Sequence, residues 1–577
     1  MPLGRPGHRA PLLWLLLPFM AGLAVGRLIE TPIVPGLAGA LGVGLGALAS
    51  LACARPWARR LWPVAIGLAM AAAGAAWFHL RLARPAGWDT LPPREARLTV
   101  RVDQVFTPRA DGRRVNGLGT VTGTDPHLRD LVGQRLYFSF NLPPRATPPV
   151  RTSVVAALGV LELLPRPATD GGFTEYLVNA GINFKFARAR LLATVTPPSR
   201  YQCFCHAAEQ RFHAILGAGL EDRPALAAVL RAMMLGHKQE MSEEQQELFM
   251  HSGTMHLFAI SGLNITAIAL SVQILLTLLR VPRVAAAIVG LAALWVYVDI
   301  TGASASAVRA FLMSALFIAS LYLRQPGNAL SALVASALLV LLLDPMELFG
   351  ASFQMSYGIV AVLLLLGAPL AEAMQERWPL FASLPEADWG WHRWTVNWIW
   401  RFLLGMVGIG LASSLVGTVS TVQFFRLFTP GALVVNLVLI PVSTLVIGAG
   451  FLSLLCGLVG LAAGSILFNH AGAVLAWLMD ALLRAAMAVP RVYEAAQFRT
   501  AWLGPALLAG LLAVCLAGYG WRWRRERGGF WPPFVFVALG LLVGVRFGPP
   551  NPRPEVAPAR LGLYASHPVH SVVRSPR

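Results

Sequence analysis

Long apolar runs separated by short loops dominate this chain. They recur at Leu12 to Leu28, Leu37 to Cys53, Pro63 to Leu80, Val284 to Ile300, Ala329 to Leu343, Phe402 to Val422, Leu433 to Leu455, Trp502 to Tyr519 and Phe534 to Val545 with its flanks. A helix crosses the hydrocarbon core with about 17–25 such residues, so the pattern predicts roughly ten to thirteen spans. The stretch from Phe451 to Pro490 is the hardest to divide.

Between Arg84 and Ser199 the pattern changes. Five short segments alternate apolar and polar positions: Arg97 to Phe106, Arg114 to Val121, Gln134 to Phe140, Thr152 to Leu163 and Ile182 to Leu191. Leu98, Val100 and Val102 fall on one face and Thr99, Arg101 and Asp103 on the other, as in half-buried strands. Five strands in this length predict a small β-barrel of OB type, a fold that elsewhere binds single-stranded nucleic acid through basic grooves and stacked aromatics. Tyr137, Lys185, Arg188 and Arg190 are the DNA-contact candidates on such a surface. The competing reading is that the aromatics fill the barrel core and the basic residues form its wet face.

After the barrel, Tyr201 to Leu235 and Gln239 to His251 have helical periodicity but carry too much charge to span, so they are expected to lie at the membrane surface or to cap the bundle. The fold class expected is therefore a polytopic α-helical membrane protein with a small extracytoplasmic OB-like β-barrel inserted after the third transmembrane helix. The boundaries read as 1–83 for N-terminal spans, 84–199 for the barrel, 200–253 for surface helices and 254–520 for the main bundle. Residues 521–548 then form a basic loop and final span, and 549–577 a Pro-rich tail read as disordered.

Composition agrees: 56% of the 577 residues are hydrophobic and 13% charged. The net charge of +19, from 47 basic and 28 acidic residues, fits three causes: loop orientation, anionic lipid or a polyanionic substrate. The cluster from Arg55 to Arg60 lies in a short loop, where the positive-inside rule predicts the cytoplasm. The N-terminus then lies inside and residue 84 onward outside. Arg280 with Arg283, Arg377 with Arg393, and Trp521 to Arg527 read as further cytoplasmic loops. The five cysteines suggest no disulfide framework; Cys203 and Cys205 are too close for an unstrained bridge.

Polar groups inside apolar runs supply the candidate chemistry. His256 to Ala269 reads HLFAISGLNITAIA, where Ser261 and Gly262 weaken the helix and Asn264 and Thr266 add polar groups. Non-helical backbone at membrane depth requires protein or a water-filled cavity to satisfy it, whereas close helix packing is the alternative use of Gly and Ser. Asp299, Arg309, Gln354, Ser356 and Asn436 lie in the same half of the chain. Pro441 would free a carbonyl near Asn436. No HExxH, GxSxG or Walker motif occurs, so neither a nuclease nor an NTPase is expected, and no cofactor or metal is implied. A metal site built from His251, His256 and Asp299 is the least favoured reading.

In these residues the sequence resembles the ComEC family of bacterial competence proteins. Ser252-Gly-Thr-Met-His-Leu-Phe-Ala-Ile-Ser-Gly-Leu-Asn264, preceded by Leu235-Gly236, is similar to the family's H-L-L-A-I-S-G-L-H core. Gly302 to Ala310 resembles its S-x-x-R-A segment. Asp344-Pro345 with Ser352-Phe-Gln-Met-Ser356 resembles D-P…F-Q-L-S-F, and Asn436 to Pro441 resembles N-L-l-x-x-P. Gly172 to Ile182 looks like the end of the family's OB-like domain. Asn264 departs from the family's usual His.

The resemblance implies an inner-membrane channel that takes up single-stranded DNA during natural transformation. It implies His256, Ser261, Gly262, Asn264, Arg309, Gln354, Ser356 and Asn436 as pore or pore-scaffold residues. It also implies membrane lipids, a cytoplasmic helicase-like ATPase and an extracytoplasmic DNA receptor as partners. Many members carry a C-terminal metallo-β-lactamase-like domain; no such motif occurs here, which leaves that chemistry to a separate nuclease. The alternatives are a transporter of a small anion or lipid-linked precursor, and an intramembrane metal-dependent enzyme.

Overall fold

The computed structural model describes residues 10–28, 39, 42, 44–46, 58–82, 92–106, 114–142, 147–165, 173–258, 262–322, 328–381, 389–489, 492–524 and 529–548. Helices α1 (Leu13–Leu28) and α2 (Ala58–Leu82) come first. They pack closely because Gly22 meets the Ala71 backbone and Gly74 the Phe19 backbone, where a β-carbon would overlap a carbonyl. Most of the run from Leu37 to Cys53 lies outside the described residues.

Strands β1 (Arg94–Val105), β2 (Arg114–Thr124), β3 (Arg135–Asn141), β4 (Val154–Leu163) and β5 (Phe184–Thr196) close a barrel in the order β1-β2-β3-β5-β4. All its pairings are antiparallel except β3 with β5. The alternation seen in the sequence holds, with Leu98, Val100 and Val102 fully buried among Phe138, Phe140, Phe184 and Phe186. Short helix α3 (Phe173–Asn179) covers the outside of β3. Tyr137 is consequently buried too, in a second cluster with Leu118, Leu177 and Ile182.

Helices α4 (Arg200–Gly217), α5 (Pro224–Leu235) and α6 (Glu243–His251) lead into the bundle. Ser242 caps α6 through a reciprocal pair with Gln245, which satisfies two otherwise orphaned N–H groups. The bundle comprises α7 (Gly262–Leu278), α8 (Arg283–Ile300), α9 (Ala305–Tyr322), α10 (Ala329–Leu343), α11 (Ala351–Val362), α12 (Ala368–Arg377), α13 (Trp391–Ser420), α14 (Ala432–Leu458), α15 (Ala462–Met487), α16 (Leu503–Gly520) and α17 (Trp531–Gly544). Strands β6 (Leu427–Phe428), β7 (Glu494–Phe498) and β8 (Val545–Phe547) form a small sheet.

Among the described residues, seven helices are long and apolar enough to cross a membrane; α1, α5, α7, α9, α10 and α17 supply shorter apolar segments. Leu278, Leu343 and Leu542 are largely exposed on these helices, as a lipid-facing surface requires. The protein is a polytopic helical membrane protein carrying a small closed barrel. Most buried side chains of the bundle fall into two large clusters. One joins α4 to α9 with α14 and α15. The other joins α1, α2, α10, α11, α13, α16 and α17.

Candidate functional site

A helix ends with carbonyls that its own backbone cannot satisfy. Helix α5 ends at Leu235, and Gly236 turns the chain out with φ +79°, its N–H returning to the Ala232 carbonyl. That leaves the Met233 and Met234 carbonyls buried. Asn264, near the start of α7, donates its side-chain amide to the Met233 oxygen at 2.9 Å. Tyr297 of α8 donates its hydroxyl to the Met234 oxygen. Asn264 is 1% exposed, so its role in the described bonds is to close a helix end inside the bundle.

Helix α7 itself begins at Gly262, beside open space, after a 3-10 turn at Met255–Leu257. Ser261 lies outside the described residues. His256 sits on that turn, exposed, with Nδ1 3.2 Å from the Gly253 carbonyl.

Arg309 and Gln354 converge on one 3-10 turn, Pro345–Phe349. The Arg309 side chain is buried in α9; it reaches Glu347 at 2.7 Å and donates to the Ser352 hydroxyl, while its Nε has no hydrogen-bond partner. Gln354 donates to the Leu348 carbonyl at 3.0 Å and accepts from Gln423 at 3.4 Å. Arg309 thus ties one buried cluster to a turn that belongs to the other. Ser356, one turn beyond Ser352, is half-buried.

Asn436 is half-buried in α14, and its buried Oδ1 has no hydrogen-bond partner. The helix continues through Pro441. Gln423 lies in a π-turn that extends α13, Thr421–Phe425, and its Oε1 is also buried without a partner. Such turns open the backbone ladder locally. Gln423, Tyr297 and Glu347 were not singled out in the sequence, although each is a polar group inside or beside an apolar run.

The barrel docks on the bundle through charge. Asp299, at the end of α8 and 5% exposed, meets Arg151 at 2.8 Å and accepts from Tyr201 at 2.9 Å. Asp344, capping the turn after α10, meets Arg135 at 2.9 Å and Arg81 at 3.8 Å. On the barrel, Arg188 and Arg190 are exposed, and Lys185 pairs with Glu162 at 3.4 Å. Tyr137 is 1% exposed and faces Phe106 and Phe173.

His251, His256 and Asp299 do not form a metal-sized group among the described residues. His251 stacks on Tyr493, at 4.4 Å between ring centres, and Asp299 is committed to Arg151.

The family model for competence proteins matches residues 233–525, just over half of the 577 residues. The chain belongs to the competence protein family. The match begins at Met233, within the capped end of α5, and runs through every bundle candidate named above. ComE operon protein 3 of Bacillus subtilis (strain 168) is 30% identical over 210 residues, which are 36% of this chain and 26% of that relative's length. No solved structure matches significantly.

Proposed function

We propose that this competence-family protein is an inner-membrane channel that admits single-stranded DNA during natural transformation. Family membership over the whole polar half of the bundle carries the reading. The site chemistry supports it. A polyanion passing through hydrocarbon needs donors that replace water without holding it fast. The half-buried amides of Gln354, Gln423 and Asn436, with the Ser356 hydroxyl, carry neutral N–H and O–H groups of that kind. Asn264 and Arg309, already committed to helix ends and turns, act as scaffold.

In this reading the barrel lies outside the cytoplasm and presents Lys185, Arg188 and Arg190, while Tyr137, buried under α3 on the outer face of β3, is a packing residue and not a DNA contact. A cytoplasmic helicase-like ATPase pulls the strand, and an external receptor delivers it. A test follows labelled transforming DNA in cells lacking this protein. The label is expected to stay nuclease-accessible outside the inner membrane, and normal cytoplasmic entry would overturn the channel. Retained DNA entry with impaired uptake of a small anion would favour the transporter alternative.

A further inference from the structure

Outside the proposed passage, α4 and the segment after α5 bring two histidines and two glutamates together. We propose that His213, His237 and Glu240 form a divalent-cation site, best suited to zinc. One ligand atom from each lies within 4.8 Å of the others. His213 Nε2 and His237 Nδ1 both stand 3.0 Å from the same Glu240 oxygen, Oε1. A zinc ion takes imidazole nitrogen and carboxylate oxygen at about 2.0–2.2 Å. Two donors on one such ion are then separated by about 3.3 Å, within reach of the spacing seen here.

The surroundings fit a metal centre beyond that triangle. A ligating histidine ordinarily hands its second ring nitrogen to a carboxylate, which fixes the tautomer. His237 does so, with Nε2 2.9 Å from Glu209 Oε1. The other oxygen of Glu240 is 2.7 Å from Arg231 Nε, so Oε1 is the one turned toward the two histidines. The His237 side chain is 14% exposed and that of His213 41%, so the site is anchored on one side and open to solvent on the other. Two His, one Glu and an open fourth position for water are a donor set that zinc accepts. Without a metal, contacts from both His237 nitrogens to carboxylates require a doubly protonated ring; a cation at Nδ1 replaces one of those protons. The ion would fasten α4 to the residue after Gly236, where α5 leaves the bundle.

Full-length protein in detergent, stripped with EDTA and dialysed against micromolar zinc chloride, is expected to retain about one zinc per chain by elemental analysis. His213→Ala and Glu240→Gln should abolish this retention, and His213 is exposed enough for that variant to fold. Glu209→Gln should weaken zinc binding about 10–100-fold without changing the stoichiometry. Cys203→Ser should leave both unchanged. X-ray absorption should show two imidazoles and no sulfur. Zinc retained equally by His213→Ala and the parent protein, or not retained by the parent at all, overturns the site. A thermal midpoint that zinc raises in the parent and not in His213→Ala supports it.

Discussion

Asn264 caps helix α5 from another helix, its amide 2.9 Å from the Met233 carbonyl and almost wholly buried. Replacing it with Leu keeps the volume roughly but leaves that carbonyl unsatisfied, at a cost of about 1–3 kcal/mol. Asn264→Leu should therefore lower the unfolding midpoint in detergent and reduce DNA uptake. Asn264→His, which offers a ring N–H donor at the same position, should recover much of both. Equal stability of the Leu variant and the parent would show that the cap carries no weight.

The Arg309–Glu347 pair joins two buried clusters. Removing one member strands the other in a poorly solvated place, which costs on the order of 3 kcal/mol. Arg309→Met should thus fold poorly. The double substitution Arg309→Met with Glu347→Met removes both charges and should regain a large part of the loss. A double-mutant cycle on thermal stability measures the coupling, and additive losses would rule out the pairing.

Much of the fold was visible in the sequence, because lipid and barrel cores impose simple periods on residue choice. The strands followed from alternation such as Leu98, Val100 and Val102. Tyr137 and Phe138 show where alternation stops helping. Consecutive strand residues face opposite sides, yet both are buried because α3 covers the outer face of β3. Pro441, expected to free a carbonyl near Asn436, lies inside a helix that continues past it. The meeting of Arg151 with Asp299, 148 positions apart, has no local signature. The same holds for His213 with Glu240, 27 positions apart, which only the turn after Gly236 brings together.

Asp299 is the charge on which the barrel rests, since Arg151 of the barrel and Tyr201 of α4 share its two oxygens. Asp299→Asn keeps an acceptor for Tyr201 and removes the ion pair, a loss of about 1–3 kcal/mol. The barrel should then undock more often. Hydrogen exchange in β1 and β4 is expected to rise relative to the parent, and the difference should shrink at high salt, where screening weakens the parent pair as well. Unchanged exchange would show that Asp344 with Arg135 suffices to hold the barrel.

The His237 cluster predicts a pH dependence in metal-free protein. Burial pulls this imidazole down, but hydrogen bonds and charge from Glu209 and Glu240 outweigh it and raise its pKa from 6.5 to about 9. His213 from α4 and Arg231 from α5 also face Glu240. A pKa higher in the folded state means that protonated His237 stabilises the fold. Its contribution is complete below about pH 6.5 and disappears as pH climbs through about 9. In EDTA, the unfolding midpoint of the parent should exceed that of His237→Gln at pH 6.5, and the gap should narrow steadily toward pH 9. A gap that is constant or widens over this range would mean that His237 is neutral in the folded protein, with one of its two carboxylate contacts lacking a proton.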